Sequence, residues 1–147
     1  MQGVVGYSPG VFDLFHVGHL DLLRRAGGEC DRLVAGVLTD ELAEELHGAR
    51  PVVPLIERME IVRNVRHVDE VVVLAEPGLR AAWESLGFDR VFTGCPDGVP
   101  AEVAERGLAG TGVRVVRYEG LAETGSPVLR GALGGARQGS GPRTSVA

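Results

Sequence analysis

The chain has 147 residues, 44% of them hydrophobic, and a net charge of -5 from 20 acidic and 15 basic side chains, every basic one an arginine. That length supports one core rather than two, no apolar run reaches the roughly 20 residues of a membrane span, and the acidic balance without a basic stripe excludes a nucleic-acid surface. Two distant cysteines, Cys30 and Cys95, make no disulfide framework and the N-terminus has no basic n-region, so a reducing cytoplasm is the expected setting.

In chain order, the apolar pattern predicts a strand over Val4–Tyr7, then a loop carrying Gly10, and then a helix over His19–Gly27 with Leu20, Leu22, Leu23 and Ala26 at helical spacing. A second strand over Leu33–Leu38 leads to a helix over Asp40–Leu46. Thr39 is its expected N-cap, with Asp40 and Glu41 well placed in the first turn. The stretch Leu55–Arg66 reads as a helix whose stripe is Leu55, Met59, Val62 and Val65. Strands over Val71–Leu74, Arg90–Phe92 and Val113–Tyr118 alternate with helices over Leu79–Leu86 and Ala101–Gly107. Several strands are continuously apolar, as strands covered on both faces are. The expectation is therefore an α/β domain, a Rossmann-like open parallel sheet of about five strands with helices on both faces. Ser126 before Pro127 predicts the start of a further helix. Residues 3–135 form the expected nucleotide-binding domain, and the Gly- and Ser-rich stretch 136–147 reads as a flexible tail or a linker to a further domain.

The chemistry concentrates between the first strand and the first helix. There His16-Val17-Gly18-His19 places two imidazoles around a glycine at a helix N-terminus, whose unpaired N–H groups suit an anion. Imidazoles there can donate to phosphate oxygens as charge develops, and Gly10 and Gly18 allow a close backbone approach. A zinc reading is weaker, because Cys30, Cys95, His47 and His67 show no ligand spacing relative to this pair. Ligands of such sheets lie beyond the carboxyl ends of the strands, so this loop, Thr39-Asp40, Thr93-Gly94 and the segment after Tyr118 are expected to meet in one crevice.

At these residues the chain resembles the nucleotidyltransferase superfamily marked by the His-x-Gly-His signature. The block Pro54–Val72 is similar to the glutamate-arginine helix and Val-Asp-Glu-Val-Val strand of its cytidylyltransferase branch, which handles glycerol phosphate, phosphocholine and phosphoethanolamine. Thr124–Arg130 resembles a C-terminal Ser/Thr cluster followed by a basic residue. The resemblance spans about residues 3–133. It implies transfer of CMP from CTP to a small phosphate- or phosphonate-bearing acceptor, of the glycerol phosphate or hydroxyalkyl phosphonate type, with pyrophosphate released.

Carried over residue by residue, it implies catalytic roles for His16, His19 and Arg66. It implies nucleotide contacts from Gly10, Val11, Phe12, Asp13, Gly94, Thr124, Ser126 and Arg130, and acceptor contacts from His47 and Arg58. It also implies magnesium on the phosphates, with Asp13 or Asp40 nearby as candidate ligands. Read without the resemblance, Arg58, Arg63 and Arg66 are as well explained by a solvated helix face, and Ser126 by a plain helix cap.

The chain departs from its relatives at the rim of the site. His47 stands where a lysine is common, Cys95 and Pro96 enter an otherwise acidic and aromatic loop, and Gly125 and Pro127 replace hydroxyl residues. The arginine-threonine pair before the Ser/Thr cluster is missing. Adenylyl transfer from ATP and a catalytically impaired nucleotide-binding module regulating a fused or partner enzyme are the alternatives. A homodimer and a fused downstream domain stay open.

Overall fold

The computed structural model describes residues 3–123. The expectations for Thr124, Ser126, Arg130, the helix beginning at Ser126 and the tail lie outside the described residues. Within them the elements run β1 (Val5–Gly10), α1 (Val17–Gly27), β2 (Arg32–Leu38), α2 (Asp40–His47), α3 (Leu55–Arg63), β3 (Glu70–Leu74), α4 (Arg80–Leu86), β4 (Arg90–Thr93), α5 (Ala101–Gly107) and β5 (Arg114–Arg117). The five strands form one parallel sheet in the order β3-β2-β1-β4-β5.

The continuous apolar runs do cover both faces, because successive side chains of a strand point to opposite sides. Leu33, Ala35 and Val37 of β2 join Leu22, Leu23 and Ala26 of α1 and Val62 of α3 in one buried layer. Val34 and Leu38 join Leu42 and Ala43 of α2, Phe88 and Ala104 of α5 in the other, where Ala82 and Trp83 of α4 also pack. Among the described residues, no helix is long and apolar enough to cross a membrane.

The sheet order places a topological switch at β1. The chain moves outward through β2 and β3, then returns to lay β4 and β5 on the other side. β1 pairs with β2 through Gly10, but with β4 only at Gly6 and Tyr7. Beyond Tyr7 the two strands part, which opens a crevice at their carboxyl ends, the usual ligand position in such folds. β1 consequently runs further than its sequence predicts, through Ser8-Pro9-Gly10. A proline is accommodated there because one flank of the strand has no ladder partner.

Two helix boundaries also differ from expectation. α1 begins at Val17 rather than His19, since His16 itself serves as the N-cap. α3 ends at Arg63 rather than Arg66. Asn64 stops it by donating its backbone N–H to the carbonyls of Ile61 and Val62 and its side-chain amide to that of Glu60. Arg66 is thereby left outside the helix.

Candidate active site

The crevice between β1 and β4 is bounded by the loop that follows each strand. In the first, Phe12 and Leu14 take positive φ values of 56° and 48°, which cost a non-glycine residue strain and persist only where the surroundings hold them. They are held from both sides. Phe12 is buried in the core, and both carboxylate oxygens of the intervening Asp13 accept backbone N–H bonds, from Val52 at 2.8 Å and Val53 at 2.9 Å.

That turn delivers His16 in an extended conformation at the start of α1, where two imidazoles form a reciprocal cap. His16 Nδ1 accepts from Gly18 N–H at 3.0 Å, and His19 Nδ1 accepts from His16 N–H at 3.2 Å. Each Nδ1 is therefore an acceptor, and each neutral ring carries its proton on Nε2. The rings stack with centroids 4.0 Å apart. His19 is 1% exposed and donates from Nε2 to Asp97 Oδ2 at 2.8 Å. His16 lines a cleft of about 440 Å³ together with Gly18, Gly94, Cys95, Asp97 and Glu123. A larger hollow of about 530 Å³, beside Trp83 and Phe88, lies at the amino ends of β4 and β5, the opposite end from the crevice.

Burial and the neighbouring His19 push the His16 pKa below its ordinary value, against the pull of Asp97. His16 is thus a neutral Nε2–H donor at pH 7. Burial works against ionisation of Asp97, but the hydrogen bond from His19, with the Asp13 backbone N–H, brings its carboxyl below the ordinary carboxylate value. Cys95 is pushed up to about 12, by burial and then by the charges of Asp97 and Asp21, so its thiol stays protonated and is no nucleophile at neutral pH.

The expected magnesium candidates are engaged elsewhere. Asp13 holds the two backbone amides just described, and Asp40 pairs with Arg58 and Arg50; neither lines the cleft. Among the described residues the potential metal-ligating atoms that converge belong to His19, Cys95 and Asp97, within 4.8 Å of one another. That set does not fit a resident metal. The His16 backbone N–H occupies His19 Nδ1, so the proton sits on Nε2, the atom that would have to coordinate.

Of the residues expected to meet the nucleotide, His16 and Gly94 line the cleft, whereas Gly10, Val11, Phe12 and His19 are buried. Val11 donates its N–H to the carbonyl of Asp97 at 3.1 Å, which ties the two loops together. Gly18 serves a closer purpose than ligand approach. A Cβ there would stand 2.9 Å from the Ala122 carbonyl and from the His16 ring, so the glycine admits the segment that follows β5.

Arg58 is the clearest departure. The expectation that it faces the crevice is corrected, because it is completely buried. Nε donates to the Val53 carbonyl, one terminal nitrogen to those of Val11 and Leu38, each at 2.8 Å, and the other pairs with Asp40. Its guanidinium satisfies carbonyls that β1 and β2 leave unpaired at their ends, and four of its five N–H donors are spent doing so. His47 is exposed at the end of α2 and does not line the cleft. Arg66 is exposed too, in a neighbouring groove with Val17, Leu20, Arg24 and His67; Ala122 lines both that groove and the cleft.

Two residues of the site are not among those the sequence singles out. Asp97 follows β4, where the strand-end rule points, but it lies 78 positions from its partner His19 and carries no spacing signal. Asp21 is buried on α1, where its carboxylate accepts the Ala122 backbone N–H at 2.9 Å and pairs with Arg24 and Arg25.

Comparison with known proteins gives these features a context. The family model described as cytidylyltransferase-like matches residues 7–97, from β1 through Asp97. The chain is 34% identical to an ethanolamine-phosphate cytidylyltransferase of Arabidopsis thaliana over 128 residues, which is 80% of this chain and 30% of that protein. It is 34% identical to the bifunctional protein HldE of Mesorhizobium japonicum over 92% of this chain and 27% of that protein. An FAD synthase of Pyrococcus abyssi is 42% identical over 47% of this chain and 46% of its own length. The chain therefore spans less than half the length of each of these relatives. Among solved structures, a lipopolysaccharide core biosynthesis protein of Thermoplasma volcanium superposes with a TM-score of 0.73 at 21% identity, covering 83% of this chain and 100% of that one. That likeness is one of fold.

Proposed function

Since this chain belongs to the cytidylyltransferase-like family, we propose that it is a nucleotidyltransferase that moves CMP from CTP to a small acceptor bearing a phosphate or phosphonate group and releases pyrophosphate. The observation that carries this reading is the pair of capped imidazoles. His16 and His19 have their Nδ1 atoms locked as acceptors, which makes both Nε2–H groups donors at the N-terminus of α1; that of His16 lines the cleft and that of His19 is held by Asp97, at the end of the sheet where its topology directs ligands. In nucleotidyl transfer an acceptor oxygen attacks the α-phosphorus in line as pyrophosphate departs. The protein then has to position the partners and stabilise negative charge rather than form covalent bonds. Fixed neutral donors suit that task, because their hydrogen bonds strengthen as charge builds on the phosphate oxygens.

Magnesium belongs to this reading as a cation carried on the phosphate oxygens, which need few protein ligands. The preference for CTP rests on the Pro54–Val72 block and on the ethanolamine-phosphate cytidylyltransferase relative. A phosphate-bearing acceptor is supported by the same relative. Adenylyl transfer is the second reading, favoured by the FAD synthase relative.

Pyrophosphate release from CTP and from ATP, each with a panel of phosphate and phosphonate acceptors, separates the readings. Acceptor-dependent release from CTP in clear excess over ATP is the expected outcome. Equal or better use of ATP replaces the first reading with the second, and no release from either nucleotide removes both.

A further inference from the structure

One of the two imidazole donors proposed to meet a nucleotide phosphate, His19 Nε2–H, is already in use. Asp97 Oδ2 accepts from His19 Nε2 at 2.8 Å. α1 has no acidic residue in its own first turn, so the anion that its N-terminus favours is supplied by the loop after β4. That loop is fixed through its backbone. The Asp97 carbonyl accepts from Val11 N–H, Gly98 N–H donates to the Cys95 carbonyl at 2.9 Å, and Gly98 bridges to Gly10. The side chain is not fixed in the same way. It is 29% exposed on the cleft, so rotation about its own bonds would release His19 without moving the main chain.

We infer that Asp97 is an internal occupant of the phosphate position: its carboxylate holds His19 in place until a nucleotide phosphate displaces it, and its charge thereby limits nucleotide affinity. This inference rests on the reading that phosphate binds at His19. An anion that must leave before another can bind lowers apparent affinity by the stability of its own contacts. Charge-assisted hydrogen bonds are about twice as strong as neutral ones, so removing the charge while keeping an acceptor weakens the occupant. A residue that only shaped the loop would instead weaken nucleotide binding when altered.

The test is calorimetric titration of the full chain and its Asp97→Asn variant with pyrophosphate and, separately, with CTP. Both ligands should bind about three- to tenfold more tightly to the variant, because asparagine can accept from His19 but carries no charge. Asp97→Glu, which keeps the charge, should stay close to the parent protein. Should Asp97→Asn fail to fold, NMR of the parent protein decides: pyrophosphate should shift the Asp97 carboxyl carbon and the His19 Nε2 resonance together. Unchanged or weaker binding to Asp97→Asn overturns the inference, as does an Asp97 carboxyl that ignores pyrophosphate. If the parent protein binds CTP while Asp97→Asn binds it no better, only this inference falls. If neither ligand binds either protein, the proposed function falls with it.

Discussion

His16 performs two tasks with one ring. Its Nδ1 caps α1, and its Nε2–H is left for the cleft. Replacing it with alanine should cost about 1 kcal/mol of stability through the lost cap. The same change should lower turnover by ~10²–10³, with a smaller loss of CTP affinity, because the contact strengthens in the transition state. The sign of its pH dependence follows from its environment. Burial and His19 lower its pKa below the ordinary 6.5, so the unfolded chain takes up the proton first. Its contribution to stability is complete above pH 6.5 and is lost as pH falls below that value. Denaturation of the parent protein and His16→Ala across this range should show the two curves converging toward acid.

Arg58 makes an opposite case, a cation whose work is internal. Arg58→Ala leaves the Val11, Leu38 and Val53 carbonyls and the Asp40 carboxylate without their partner. The expected loss is about 3–5 kcal/mol, measured by chemical denaturation. A variant of full stability with a raised acceptor KM would return Arg58 to the acceptor site.

At the scale of elements, the loops after β1 and β4 and the segment after β5 are stitched to α1 by carboxylates. Asp97 reaches His19, and Asp21 reaches Ala122. The Ala122 N–H, opposed by burial and aided by Arg25 and Arg24, holds the Asp21 carboxyl below its ordinary 3.8. Its stabilising effect is present above that pH and fades as pH falls below it. Asp21→Asn should detach the segment after β5 from α1, seen as faster amide hydrogen exchange at Ala122 with the α1 core amides unchanged. Equal protection of Ala122 in both proteins would show that other contacts hold the segment.

Elements of this kind were unevenly legible in the sequence. The Thr39 cap of α2 was readable, and Thr39 does accept from Leu42 N–H at 3.0 Å, because a cap is a local signal. The paired histidines were readable for the same reason. The cap formed by His16 was not, since histidine lies outside the usual capping residues. Arg58 looked like a polar residue off the Leu55–Met59–Val62 stripe, and only the fold shows that three strand-end and loop carbonyls converge on it. Asp97 depended on a pairing across the sheet switch that periodicity cannot carry.

For the whole molecule, the sheet order makes the site. The parting of β1 and β4 beyond Tyr7 opens the crevice, and the crossovers bring α1 with its capped histidines to the same end. Five strands, with helices on both faces, were legible because buried parallel strands leave continuous apolar runs. A ligand that binds this crevice should stabilise the entire domain by mass action, by about 2.7 kcal/mol at a hundredfold excess over Kd. CTP should therefore raise the melting temperature, and UTP or GTP should raise it less. The central claim is that the two Nε2–H donors stabilise a transferring phosphate. Its most direct test is the rate of CTP-dependent pyrophosphate release for the parent protein, His16→Ala and His19→Ala at saturating CTP and acceptor. The account predicts a fall of ~10²–10³ in both variants; turnover close to that of the parent protein in either one would contradict it.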